Sequence, residues 1–202
     1  MRVLVIGASG PTDQQVLAQL GEHEVTVLAR SERTIAGVTV ITGDARSAAD
    51  LERAVAGQHA VISALGSKKI GPDDLQTAFL TGITAGMEKL GVPRLISLTP
   101  WGVGASRASA PLMMRLAGAT ILRNQMADRE AGEAIVDASG LSYTHVRAGT
   151  LGNGPGRGGA IGTADGEGIG HSIARADVAA FMVGQLDDDA WLRSQVIIGY
   201  PR

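Results

Sequence analysis

The sequence predicts an α/β fold in three layers, a doubly wound parallel sheet with helices on both faces, built as one domain over residues 1–202. Three observations predict it. An apolar, β-branched run, Arg2-Val3-Leu4-Val5-Ile6, ends on the glycine turn Gly7-Ala8-Ser9-Gly10, and Pro11 then opens a helical pattern. Such a run reads as a central parallel strand feeding a helix. Strand-like and helix-like segments alternate from there to the end, the order that builds a parallel sheet covered on both sides. The chain of 202 residues is also long enough to bury roughly 70% of its unfolded surface in one core, without staples. Together these describe a Rossmann-type arrangement.

The elements follow in order. After the strand at 2–7, Pro11 suits the first turn of a helix at 11–20, where its missing N–H has no intrahelical partner to lose. Strands at 24–29 and 38–42 precede a helix at 47–56 and a strand at 59–65. The helix at 72–90 is the best marked: Pro72 stands at its start, and Asp73 and Asp74 load its first turn. Leu75, Phe79, Ile83, Met87 and Leu90 recur on one face as a core stripe, and Gly91 and Pro93 stop the helix. A strand at 94–99, helices at 106–117 and 120–139, a strand at 141–147, a helix at 174–186 and a strand at 195–200 complete the chain. Between Gly149 and Gly170 glycine recurs every second or third residue, among them Gly152, Gly154, Gly156, Gly158 and Gly159. That connection is longer than compact domains use. Loops over the carboxyl ends of parallel strands commonly build binding sites, so 149–172 reads as a substrate-side lid with closing hinges.

Composition removes several function classes. With no cysteine there is no disulfide framework, thiolate metal site or cysteine nucleophile, which suits a reducing cytoplasm. No stretch approaches the roughly 18 uninterrupted apolar residues of a membrane span, so no membrane partner is expected. A net charge of −2 and a pI near 6.1 offer nucleic acid no long-range attraction. Arg107, Arg115, Arg123 and Arg129 form a loose basic series that reads as a solvated helix face. The four histidines form no metal cluster, and a monomer or weak homodimer is expected.

The glycine turn reads as a diphosphate seat. A diphosphate needs backbone N–H donors and a positive helix end, and a side chain at Gly7 or Gly10 would hold it off. The third glycine of the G-x-x-G-x-x-G spacing is replaced by Asp13, read as a dipole-complementing surface residue in preference to an anti-phosphate device, with weakened binding expected. The second strand ends Leu28-Ala29-Arg30-Ser31, with Arg33 close behind. A carboxylate at that point would hold the two ribose hydroxyls of NAD, whereas a guanidinium suits a 2′-phosphate, so NADPH/NADP is expected over NAD, with Arg30, Ser31 and Arg33 around the phosphate. Glu32 works mildly against this assignment.

Taken in order, the motifs Val5-Ile6-Gly7-Ala8-Ser9-Gly10-Pro11-Thr12, Val25-Thr26-Val27-Leu28-Ala29-Arg30, Gly43-Asp44, Val61-Ile62-Ser63-Ala64-Leu65-Gly66, Leu95-Ile96-Ser97-Leu98-Thr99, Leu141-Ser142-Tyr143-Thr144-His145-Val146-Arg147 and Ile173-Ala174-Arg175-Ala176-Asp177-Val178-Ala179 give nearly the whole chain a resemblance. It resembles the atypical short-chain dehydrogenase/reductases, in particular the small NAD(P)H-binding, NmrA-like group that includes biliverdin-IXβ/flavin reductase. The resemblance implies a cofactor lying along Gly7, Ser9, Gly10, Pro11 and Thr12, with adenine at Asp44 and Ala45. It also implies that Ala64, Leu65 and Gly66 face the nicotinamide ribose and that Thr99 lies near the nicotinamide. Asp44 reads equally as a partner in an ordinary turn.

Main-branch members of this superfamily use a tyrosine followed four residues later by a lysine, and neither Tyr143 nor Tyr200 has one. Thr99, ahead of Pro100 and Trp101, is the nearest hydroxyl left as a catalytic candidate. Hydride transfer to a flavin, quinone or similar conjugated aromatic acceptor needs no dedicated protein acid, because the acceptor spreads the charge. Trp101, Met113 and Met114 are candidate walls for such a flat acceptor, with core packing as the other reading of the methionines. Arg147 is a candidate for a substrate anion or a tie for the lid, and His171 sits where the lid returns. Arg175 and Asp177 read as an internal pair that anchors the last helix. The rival classes are a non-catalytic NADP(H)-binding redox sensor of the NmrA type, gripping a partner through the loop or the 106–139 helices, and a non-redox isomerase or epimerase.

Overall fold

The structure, a computed structural model, describes residues 1–7, 10–66 and 71–202. Its elements are β1 (Arg2–Ile6), α1 (Pro11–Gln19), β2 (Glu24–Ala29), β3 (Val38–Thr42), α2 (Ala48–Val55), β4 (Ala60–Ser63), α3 (Leu75–Leu90), β5 (Arg94–Pro100), a 3-10 turn (Gly104–Arg107), α4 (Leu112–Ala119), α5 (Arg123–Asp137), β6 (Ser142–Ala148), β7 (Thr150–Gly152), β8 (Ile161–Thr163), β9 (Ser172–Ala174), α6 (Arg175–Gly184) and β10 (Ser194–Gly199). The main sheet runs β3-β2-β1-β4-β5-β6-β10-β8. Every pairing in it is parallel except that of β8, which lies antiparallel on β10. This is the doubly wound fold that the alternating pattern predicts.

Covering both faces explains why the strands read as unbroken apolar runs: Val3, Leu4, Val5 and Ile6 are all buried. Val3 and Val5 face a core shared with Val16 of α1, Leu20 just after it, and Val178 and Met182 of α6. Leu4 and Ile6 face the opposite core, with Leu51 of α2, Phe79 and Ile83 of α3 and Val136 of α5. From β1 the chain winds outward to β2 and β3, then returns to β4 on the other side of β1 and winds away to β5 and β6. The strand order therefore reverses between β1 and β4. Two loops leave the carboxyl ends of those strands in opposite directions there and open a crevice.

Several boundaries differ from the sequence reading. Helix α3 begins at Leu75, beyond Pro72, because Asp73 and Asp74 are drawn out to the guanidinium of Arg46. Its first amides are capped instead from α5: Asp128 accepts the N–H of Gln76 at 2.8 Å and of Thr77 at 3.0 Å. Phe79, Ile83 and Met87 are core, whereas Leu90, at 40% exposure, ends the stripe in solvent. The expected helix at 106–117 is split into a 3-10 turn and α4, with Pro111 as the residue before α4.

The glycine segment is not a plain loop. Strand β8 joins the main sheet, and β7 and β9 form a small parallel ribbon. Asp177 of α6 accepts the amides of Arg157 and Gly158 and the hydroxyl of Tyr200. Arg175 instead bonds Asn153 and the carbonyl of Leu151, so the two residues each tie the segment to α6 and do not pair with each other. Ile169, fully buried, packs the returning chain against Trp101 and Ile197.

Candidate functional site

The crevice at the β1/β4 reversal is a cavity of about 690 Å³. Its floor is the glycine turn. Gly7 has φ +107°, a conformation that side chains rarely adopt, and the N–H of Gly10 closes the turn on the carbonyl of Gly7 at 2.8 Å. Gly10 is the N-cap of α1, no side chain caps that end, and Gln14 N–H bonds back to Gly10 O. The positive end of the helix thus faces the cavity, and the Asp13 carboxyl is the acidic group of its first turn. Gly7, Gly10 and Pro11 line the cavity; Thr12 is buried beside them, and Ser9 lies outside the described residues.

Asp13 is where the sequence reading fails. It is 1% exposed and lies under the turn. A Cβ added to Gly7 would stand 2.9 Å from its Oδ2, and one added to Gly10 would stand 2.6 Å away. Its Oδ1 accepts the N–H of Ala64, at the end of β4, at 3.2 Å. Without a third glycine, the carboxyl takes up the space between turn and sheet. Burial pushes its pKa up to about 7, against the opposing pull of the Ala64 amide.

The opposite wall comes from the ends of β2 and β3. Arg30 and Ser31 are exposed on the cavity's rim and Arg33 is half-buried there, with no carboxylate at the end of β2. Asp44 also lines the cavity, and its carboxylate accepts the Arg46 amide at 3.0 Å while its own amide donates to Asp50. It is therefore both a turn residue and a cavity residue. That donation from the Asp44 amide is the leading cause that holds the Asp50 carboxyl below its ordinary range. Ala45 lies next to Asp44, and Arg46 reaches across to Asp73 and Asp74, bracing one end of the mouth.

The third wall follows β4: Ala64, Leu65 and Gly66 line the cavity. Beyond Gly66, the carboxyl ends of β5 and β6 place polar side chains against α5. Thr99 is 5% exposed, and its Oγ1 has no hydrogen-bond partner among the described residues. Arg129 of α5 points its guanidinium at the carbonyls of Leu65 and Leu98, each 3.5 Å away, and a Cβ on Gly66 would stand 3.7 Å from it. Burial lowers the pKa of that guanidinium, with Glu133 and Asp128 opposing. The sequence reading put Arg129 on a solvated face. The missed signal is its phase: Met126, Arg129, Glu133 and Val136 recur at helical spacing, and the other three are buried.

The expected substrate residues lie elsewhere. Trp101 is buried among Ala110, Ile169 and Ile197, its Nε1–H donating to Ser109 Oγ at 3.2 Å, so its ring is core and not an acceptor wall. Met113 is 76% exposed on α4 and stands clear of the cavity, and Met114 packs on the Trp101 cluster. Arg147 is buried and held by Glu133 at 2.7 Å and the carbonyl of Val103 at 2.7 Å; it ties β6 to α5 and is not free for a substrate anion. His171 is exposed, bonded to Arg202 at 2.7 Å and tilted against Trp101.

Comparison with known proteins agrees with this layout. The chain is similar to the oxidoreductase ylbE of Lactococcus lactis, at 16% identity and a TM-score of 0.85, over 100% of this chain and 92% of that one. It is similar to ChuY of Escherichia coli O157:H7, described as an anaerobillin reductase, at 24% identity and a TM-score of 0.78, over 100% of this chain and 98% of that one. It is also similar to a short-chain dehydrogenase/reductase of Veillonella parvula DSM 2008 in complex with NADP, at 18% identity and a TM-score of 0.80, over 99% of this chain and 94% of that one. At these identities the likeness is one of fold. The sequence model of a family described as NAD(P)H-binding matches residues 7–189, from the glycine turn to beyond α6, and the chain therefore belongs to the NAD(P)H-binding family.

Proposed function

We propose that this protein is an NADPH-dependent oxidoreductase that passes hydride to a small conjugated acceptor such as a flavin, a quinone or a similar aromatic, without a tyrosine–lysine relay. One observation carries the cofactor choice: the cavity that begins at the uncapped start of α1 ends at Arg30 and Arg33, with no carboxylate at the end of β2. The donor set fits a dinucleotide. Gly7 and Gly10 keep the turn bare for the diphosphate, Arg30, Ser31 and Arg33 receive the 2′-phosphate, Asp44 and Ala45 flank the adenine, and Ala64 to Gly66 face the nicotinamide ribose. When bound, NADPH supplies the hydride.

The chain's own part is to bind and to orient. Thr99 Oγ1, buried without a partner among the described residues, and the Arg129 guanidinium, held by two long contacts, are the polar groups at the nicotinamide end. They fix the ring and the acceptor's polar edge, and solvent supplies the proton to a charge-spreading acceptor. The resemblance to the NmrA-like group supports this reading, as does the similarity to ChuY, an anaerobillin reductase. A sensor reading draws on α4, which exposes Leu112, Met113 and Leu116 as a surface for a partner.

Titration with NADPH and NADH, followed by stopped-flow loss of NADPH absorbance with a panel of flavins and quinones, tests the proposal. Preference for NADPH and turnover of at least one acceptor are expected. Preference for NADH refutes the cofactor assignment. Clear NADPH binding with no turnover of any acceptor favours the sensor.

A further inference from the structure

At the third glycine position of the phosphate turn this chain has an ionisable group, and its placement gives that group a part in binding. We propose that Asp13 is a proton-linked partner of the cofactor's diphosphate: its buried carboxyl takes up one proton from solvent as the dinucleotide seats against Gly7, Gly10 and the start of α1. The inference rests on the reading of this cavity as a dinucleotide site.

The geometry is specific. Ala64 N–H holds Oδ1, which leaves Oδ2 turned to the glycine turn, in the space that a Cβ on either glycine would fill. Asp13 lines the same cavity as Gly7, Gly10 and Pro11. Ionised, the carboxylate opposes a dianionic diphosphate at the same helix end. Neutral, it removes that repulsion and has one O–H to donate. With the carboxyl pKa raised by burial to about 7, both forms are populated near neutrality, and a bound diphosphate raises it further.

The charged groups that line the same cavity as Asp13 are Arg30 and Arg33 after β2, and Asp44 and Arg46 after β3, with Arg46 engaged by Asp73 and Asp74. From the end of β4 it meets the Ala64 amide, which does not titrate in this range. From α6, packed on α1, Arg175 is bonded to Asn153 and Asp177 to Tyr200. Lys68 and Lys69 lie outside the described residues. The sign follows from linkage: a group whose pKa is higher in the complex than in the free protein favours binding below its free pKa, and the gain is lost as pH rises through and above about 7. The 2′-phosphate of NADP⁺, which titrates near about 6, is almost fully ionised above about pH 7; its contribution below that is common to the unaltered protein and the Asp13 variants and cancels in their comparison.

Isothermal titration of the whole chain with NADP⁺, from pH 6 to 9 and in buffers of different ionisation enthalpy, reads both affinity and proton uptake. For the unaltered protein, uptake approaching one proton at pH 8 is expected, with affinity falling by up to about tenfold per pH unit above 7. Asp13→Asn keeps the acceptor for Ala64 N–H, and Asp13→Gly restores the usual spacing; both are expected to take up no proton at this site and to hold a flat affinity, tighter than the unaltered protein at pH 8.5. Identical uptake and pH profiles for the unaltered protein and Asp13→Asn overturn the inference while leaving the dinucleotide reading intact. No heat from any of the three proteins at millimolar NADP⁺ overturns both.

Discussion

Arg147 and Glu133 form an ion pair that is almost wholly buried, at 2.7 Å, between β6 and α5. Two charges withdrawn from water are held chiefly by each other, with Arg129 also acting on Glu133 and Val103 O taking a further guanidinium N–H. Replacing Arg147 by Met strands the carboxylate of Glu133, and a loss of roughly 3–5 kcal/mol in a urea unfolding series is expected. The double variant Arg147→Met, Glu133→Leu removes both charges and is expected to recover most of that loss; no recovery would show that the pair's packing, and not its charge, holds α5. Arg30 is the opposite case. It is exposed on the cavity rim and makes no buried contact, so Arg30→Ala is expected to leave stability within about 0.5 kcal/mol. The same change is expected to weaken NADPH roughly five- to twentyfold and NADH hardly at all, as read by fluorescence titration, because the lost contact is a charge-assisted bond to a phosphate that only NADPH carries.

At the scale of elements, the glycine segment between β6 and α6 holds glycines of different kinds. Gly166 has φ +84° and lies against the indole of Trp101, so that a Cβ there would collide with the ring. Gly154 meets nothing within 4 Å and lacks a positive φ. Gly166→Ala is expected to cost about 1–3 kcal/mol, whereas Gly154→Ala is expected to be neutral or slightly stabilising, since it narrows the unfolded ensemble. Thermal melts of the two variants, side by side, decide the matter; equal shifts would mean that the segment does not pack as described. This pair also explains what the sequence could and could not carry. Long apolar runs such as Val3 to Ile6 and Val25 to Ala29 announce strands by their burial on both faces, and their ends are legible to within a residue or two. Strands β7, β8 and β9 have three residues each, too few for a period of two to stand out, and glycines mask what is left. The cavity was legible on the sides built by residues near one another in sequence: Gly7, Gly10 and Pro11, then Arg30, Ser31 and Arg33, Asp44 and Ala45, and Ala64 to Gly66. The end beside Gly66 was not, because Arg129 reaches it from a helix far along the chain and Trp101 is turned into the core by contacts with Ile169 and Ile197.

For the whole molecule, the pH dependence of stability follows from carboxyls shifted in opposite directions. His145, with Nε2 at 3.4 Å, is the main cause that holds Asp137 below the usual carboxylate range. At Asp177 burial pulls upward, but the Tyr200 hydroxyl and the amides of Arg157 and Gly158 outweigh it and lower the pKa. Groups of this kind add stability above their unfolded pKa, near about 3.9, and lose it as pH falls through the folded value. Asp13 does the reverse. Its folded pKa, raised to about 7, means that the native state keeps a proton that the unfolded chain has already released, so stability falls as pH rises from about 4 to about 7 and is level above that. Stability of the dinucleotide-free protein is therefore expected to peak on the acid side of neutrality. Asp13→Asn is expected to remove the downward limb, its advantage over the unaltered protein growing across that window to something on the order of 3 kcal/mol at pH 8. Urea unfolding midpoints taken at pH 4.5, 6 and 8 read this directly. If the two proteins keep a constant difference at all three values, the Asp13 carboxyl is ionised in the native state throughout, and the burial beneath the glycine turn does not govern its charge.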